Sequence, residues 1–236
     1  MRELIDLHTH TISSGHAYST VKENIDSASL KKLKYLGISD HGPKMPGSPH
    51  IFHFHNLKVI PNEISGVRVL RGSEVNILDF EGNLDLSEYD LNKLDYAIAS
   101  LHIPCINPGN REENTMAVIN AMNNNKVKII GHLDDARYPV HYEMVVKKAK
   151  ENGILLELNN SSLKPNGARV GALKNDIEML NICRKMNAKI IFGSDSHICY
   201  DIGKFDNCIK LVKELDFPEE LIVNYNEEDI KKIFNI

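Results

Sequence analysis

Histidines and carboxylates recur at the ends of successive apolar runs in this chain: His8 and His10, His41, Glu74, His102, His132, then Asp195 with His197. His8 to His41 and His41 to Glu74 are each 33 residues, Glu74 to His102 is 28 and His102 to His132 is 30. A strand, a helix and two connections occupy about 30 residues, so the rhythm predicts a barrel of βα units with a metal site gathered at one rim.

Seven units can be counted. Leu4 to Leu7 reads as the first strand, and Thr20 with Glu23 has capping-box spacing before an amphipathic helix expected to run to about Tyr35 and close at Gly37. Further strands are read at 38–41, 68–75, 96–102, 127–132, 154–159 and 189–195, each apolar enough to be buried on both faces. Helices are expected at about 112–123, 142–151, 176–185, 204–215 and 227–234. Between 42 and 49 lies a loop with two glycines and three prolines, leading to His50, His53 and His55. A loop of that length is a candidate functional element.

With 236 residues, 42% of them hydrophobic, residues 1–236 are long enough for one α/β domain. The net charge of −4 comes without a long basic run, so there is no electrostatic footprint for nucleic acid or an anionic membrane. The four cysteines have no C-x-x-C spacing, which fits a reducing compartment. There is no signal-like apolar segment near the first residues and no apolar run of about 18 residues, so the expectation is a cytoplasmic protein.

On a strand, residues i and i+2 share a face, so His8 with His10 and Asp195 with His197 can each turn two ligands one way. In a closed barrel the first and last strands are neighbours, which would bring the two pairs together. Glu74 has two oxygens and can sit between two ions; the plainer reading is a buried ion-pair partner of Arg68 or Arg71. His141 reads as an ordinary surface histidine, and Asp134-Asp135 as a turn or a helix start.

These residues resemble the PHP superfamily, named for polymerase and histidinol phosphatase, and within it the small stand-alone phosphatases of the YcdX type. The matching stretches are 6–10, 39–41, 71–74, 99–102, 131–132, 156–162 and 193–197, together with 49–54 and the tail 217–220. The resemblance implies a distorted (β/α)7 TIM-like barrel with three divalent ions. It assigns one ion to His8, His10, Glu74 and Asp195, a second to Glu74, His102 and His132, and a third to His16, His41 and His197. Leu133 departs from the family, which often has Pro there.

The donor set suits zinc first, with manganese or iron as alternatives. Seven neutral imidazoles and two carboxylates around three divalent ions leave a formal charge of about +4, attractive to a phosphate. The expected activity is that of a phosphatase, hydrolysing a small phosphomonoester with a metal-bridging hydroxide and no protein nucleophile. Arg169, in the loop after the sixth strand, is a candidate bidentate phosphate contact; the plainer reading is a solvated loop arginine. His53, on a lid over the rim, and Asn159 complete the expected substrate contacts. Alternatives are a PHP nuclease or phosphodiesterase, an amidohydrolase-like enzyme, and a non-enzymatic metal-binding protein. Substrate identity and oligomeric state are not written in these motifs.

Overall fold

The computed structural model describes residues 2–165 and 167–236. In chain order its elements are β1 (Ile5–Asp6), α1 (Val21–Leu30), β2 (Tyr35–Ile38), α2 (Ile51–Asn56), β3 (Glu63–Ile64), β4 (Val67–Arg71), β5 (Glu74–Asn76), α3 (Glu88–Leu91), β6 (Ala97–Ser100) and α4 (Arg111–Ala121). They are followed by β7 (Val127–Ile130), α5 (Tyr142–Asn152), β8 (Leu155–Asn159), α6 (Ala172–Met186), β9 (Ile190–Gly193), α7 (Asp206–Glu214) and α8 (Glu227–Phe234).

The strands fall into two sheets, ordered β1-β2-β4-β3 and β5-β6-β7-β8-β9. All pairs are parallel except the β3–β4 hairpin. Parallel bridges from His41 to Glu74 and from Thr9 to Ser196 join the sheets at both seams. The result is a distorted TIM-like barrel of seven strand positions, with β4 and β5 sharing the third.

The expected third strand, 68–75, is therefore two strands. At Gly72-Ser73 the chain leaves its pairing with β2 and starts again beside β6, and Gly72 passes so close to Tyr96 that a Cβ there would lie 2.4 Å from its ring. The first helix also ends sooner than its pattern suggests. Thr20 and Glu23 form the capping box, but α1 stops at Leu30, and Lys32 turns the chain with φ +60°. Tyr35 to Ile38, all buried, then form β2 instead of the end of a helix and a cap. Gly37 is there for contact and not for a helix stop: an added Cβ would sit 2.0 Å from the Tyr96 hydroxyl and 2.9 Å from the Leu7 backbone.

Two apolar layers hold the barrel. Inside it, Ile5 and Leu7 meet Ile98, Ile129, Leu155 and Ile191, and α8 closes the lower end with Ile230 and Phe234. Outside it, a larger cluster packs the helices on the sheet. Because side chains alternate along a strand, the inward series on β8 reads Leu155, Glu157, Asn159, from oily floor to polar rim. The functional rim is thus the C-terminal end of the strands.

Gly37→Ala should therefore overpack the barrel. The expected loss is about 1–3 kcal/mol, or about 2–4 °C of Tm for each kcal/mol in a chain of this size. Thermal unfolding followed by circular dichroism tests it, and an unchanged Tm would contradict the packing described.

Candidate metal centre

Apart from His16, in the loop before α1, each candidate ligand lies within four residues of the C-terminal end of a strand. Reciprocal hydrogen bonds from His10 N to Ser196 O (2.9 Å) and from Ser196 N to His8 O (3.3 Å) zip the segment after β1 to the segment after β9. That zipper brings His8 and His10 beside Asp195 and His197. His41 follows β2, Glu74 opens β5, and His102 and His132 each lie two residues beyond β6 and β7. His132 and Asp195 hold left-handed backbone angles, φ +25° and +50°. Non-glycine residues adopt these at a cost of order 1–3 kcal/mol, which the surroundings must impose.

Glu74 is the centre. Its Oε1 lies 2.7 Å from His132 Nε2 and 3.2 Å from His102 Nε2, while its Oε2 faces His41 Nδ1 at 2.7 Å, His8 Nε2 at 3.3 Å and His10 Nε2 at 3.5 Å. Asp195 Oδ1 lies 3.4 Å from His10 Nε2 and 3.6 Å from His8 Nε2. Donor atoms within 4.8 Å of one another fall into four groups: His8-His10-Glu74, His8-His132-Asp195, His41-Glu74-His102 and His10-His41-His197. His16 is exposed and stands at the edge, its ring 5.1 Å from that of His41 and 4.7 Å from that of His197.

The donor set fits divalent ions. His8 Nε2, His10 Nε2, His41 Nδ1 and Glu74 Oε2 are buried, point at one another and have no hydrogen-bond partner, a combination that is unfavourable without a cation. Burial drives the pKa of His10 down to about 3 and that of His102 down to about 4, which leaves their lone pairs free. Burial by itself would raise the Glu74 and Asp195 carboxyls, but His8 beside both, with His102 at Glu74 and Arg169 at Asp195, holds them well below the usual range. Neutral imidazole and ionised carboxylate are the forms a metal requires; His8, whose burial is outweighed by Glu157, Glu74 and Asp195 so that its pKa is raised, would give up its proton on binding one.

Residues 6–161 match the model of the PHP domain. A probable phosphatase of Clostridium novyi is 50% identical over 230 residues, covering 98% of this chain and 93% of the relative. Another, from Clostridium acetobutylicum, is 51% identical with the same coverage.

The chain belongs to the PHP domain family.

Among solved structures, the Lactococcus lactis histidinol phosphate phosphatase, complexed with zinc, L-histidinol and phosphate, superposes with a TM-score of 0.63 at 14% identity, covering 92% of this chain and 95% of that one. An archaeal ribonuclease P with mature tRNA contains a chain of the same fold, with a TM-score of 0.60 at 16% identity, covering 98% and 90%. At such identities the likeness is one of fold.

In this PHP domain a second ring of side chains aims the first. Glu157 Oε1 accepts from His8 Nδ1 (2.7 Å) and its Oε2 from His132 N (2.9 Å). Asn76 Oδ1 accepts from His102 Nδ1 (2.7 Å), and Ser14 Oγ, 3.1 Å from His10 Nδ1, donates to Asp40 Oδ1 (2.7 Å). Such bonds fix the tautomer that turns the other ring nitrogen to a metal. Glu157, Asn76, Ser14 and Asp40 were not singled out from the sequence. For Glu157 the signal was present: an acid inside the run 154–158, otherwise apolar, in phase with Asn159.

The three expected substrate contacts separate. Arg169 lines a cavity of about 320 Å³ at the mouth, together with His102, Asp195 and His197. Its Nη2 donates to Asp195 Oδ2 (3.1 Å) and its Nη1 to Ser162 Oγ (3.0 Å). Asn159 is fully buried beneath, its amide shared between Glu157 (3.1 Å) and Asp195 (3.2 Å). His53 sits on α2 with Nε2 3.1 Å from Asp40 Oδ2, which ties the lid segment to the rim, and it is not among the residues lining that cavity. No helix among the described residues is long and apolar enough to cross a membrane.

Glu157→Gln should leave the fold in place and weaken metal binding by about 10–100-fold. Competition against a calibrated chelator measures this. Affinity within twofold of the parent would remove Glu157 from the design of the centre.

Proposed function

We propose that this protein is a metal-dependent phosphatase, a single domain over residues 1–236 that holds three divalent ions, zinc first, and hydrolyses a small phosphomonoester. The observation carrying this reading is the division of Glu74, one oxygen toward His102 and His132 and the other toward His8, His10 and His41. That division supports a carboxylate shared between two ions, with Asp195 completing one and His16, His41 and His197 offering a third. Bound ions of this kind acidify water toward neutral pH and offset charge on a phosphoryl group.

The chain's own groups have separate tasks. Arg169 is half-buried, positively charged and directed at the cavity from the Asp195 side, so its guanidinium is the donor best placed for a phosphoryl oxygen. Ser162, bonded to Arg169, and Asn159, bonded to Asp195, keep that edge in position. The reaction adds water across the ester and releases an alcohol and inorganic phosphate. No serine or cysteine among the lining residues is paired with a base as a nucleophile would require. The zinc and phosphate bound by the Lactococcus lactis relative are consistent with this chemistry. A phosphodiesterase would use the same ions, and a direct assay separates the two.

Metal-loaded protein is expected to contain about three ions per chain and to hydrolyse p-nitrophenyl phosphate far faster than its bis-ester. His8→Ala and Asp195→Ala should lose metal and activity together, while Arg169→Ala should keep the metal and lose about 10²-fold in kcat/KM, the value of one or two charge-assisted hydrogen bonds. Elemental analysis alongside steady-state kinetics decides it. Diesterase activity alone, or full activity in His8→Ala, would defeat the reading.

A further inference from the structure

Beyond Arg169, the mouth has a second charged wall. Asp135 and Arg137, both from the loop after β7, line the same 320 Å³ cavity as Arg169 and His197, with Leu101 and Pro104 supplying apolar surface. They form a tight pair: Arg137 Nε donates to both Asp135 oxygens at 2.9 Å, Nη2 donates to Oδ2 at 2.5 Å, and the Arg137 backbone N–H donates to Oδ1 at 3.0 Å. Nη2 also reaches Ala168 O (3.3 Å), and Ala136 N bonds Val170 O (2.8 Å), so the loop is fastened on both sides of Arg169. Burial opposes ionisation of Asp135, but the Arg137 contacts hold its carboxyl below the ordinary value. Arg137 keeps a 42% exposed side chain, and its Nη1 has no hydrogen-bond partner among the described residues.

This pair does not serve the hydrolysis derived above. It is nearly neutral as a unit, so it has little pull on a second phosphate or carboxylate. What it offers is the free Nη1 hydrogens of Arg137, held in place by an Asp135 carboxylate whose lone pairs are already engaged, and a hydroxyl oxygen is an uncharged acceptor suited to them. The cavity is at the small end of ligand pockets, which run from about 300 to 1,000 Å³, and the phosphoryl group shares that space. An aryl leaving group would cover the Arg137 Nη1 donors without accepting from them, which penalises binding.

We propose that Asp135 and Arg137 are the specificity-determining residues of this site, selecting phosphomonoesters of small polyhydroxylated alcohols, the sugar and polyol phosphates. This rests on the phosphatase reading. The donor edge of Arg137 holds one or two hydroxyls of the alcohol, Asp135 positions that edge, and Leu101 and Pro104 pack on the carbons of the alcohol.

The test uses metal-loaded protein and four probes: glycerol 3-phosphate, ribose 5-phosphate, phenyl phosphate and fructose 1,6-bisphosphate. The parent is expected to show kcat/KM at least tenfold higher for the better hydroxylated monophosphate than for phenyl phosphate or the bisphosphate. In the double variant Asp135→Ala/Arg137→Ala that ratio should fall at least tenfold, mainly through KM. Arg137→Lys keeps the charge, lacks the fork and should lie between, which maintains the test if the double variant folds poorly. A parent preference for phenyl phosphate or the bisphosphate, or a ratio unmoved by both variants, overturns the proposal and leaves the phosphatase reading standing. A metal-loaded parent that hydrolyses no monoester at all overturns both.

Discussion

The rest of the structure is organised around a buried carboxylate. Glu74 has no exposed surface, and five imidazoles crowd its two oxygens. A charge so far from water is tolerable only with opposite charge or several hydrogen bonds around it. Its position depends in turn on the seam between β4 and β5. There the strand breaks at Gly72-Ser73, and Glu74 emerges bridged to His41 and paired in parallel with β6. The distortion of the barrel and the placement of the central ligand are therefore one feature.

Pre-organisation spreads outward from that point. His8 is held by Glu157, His102 by Asn76, and His10 through Ser14 by Asp40. Glu157 and Asn159 come from the same inward face of β8 as Leu155, so one strand supplies the apolar floor, the brace of His8 and the brace of Asp195. The left-handed angles at His132 and Asp195 belong to the same design. In each case the chain turns sharply just after a strand, so that the side chain reaches back over the barrel axis.

Much of this was legible in the sequence because spacing and strand periodicity carry it. The ends of apolar runs locate His41, His102 and His132, whereas the pairs at 8–10 and 195–197, expected on strands, lie just beyond β1 and β9 and are brought together by the bridge from Thr9 to Ser196. The failures have a common cause. The local pattern reads Gly37 as a helix stop and 68–75 as one strand, because the close approach of Gly37 and Gly72 to Tyr96 comes from a different part of the chain. The roles of Asn76 and Asp40 are hidden for the same reason: their partners His102 and Ser14 each lie 26 residues away in sequence, and only the closed ring joins them. His53 illustrates the limit from the other side. Its place in a lid loop suggests substrate, yet its ring nitrogen meets Asp40.

Fold and function separate at the rim. The same barrel accounts for the likeness to a chain in an archaeal ribonuclease P and to a histidinol phosphate phosphatase, at 16% and 14% identity, so the barrel by itself selects neither activity. What the barrel carries at its mouth is a cluster of candidate ligands and the contents of two loops. The loop after β8 brings Arg169 to Asp195, and the loop after β7 brings Asp135 and Arg137 to the same cavity. The hydrogen bonds from Arg137 to Ala168 and from Ala136 to Val170 fasten those loops together. The group proposed to meet the phosphate and the group proposed to meet the alcohol thus rest on one small scaffold, where a change in one loop must be felt by the other.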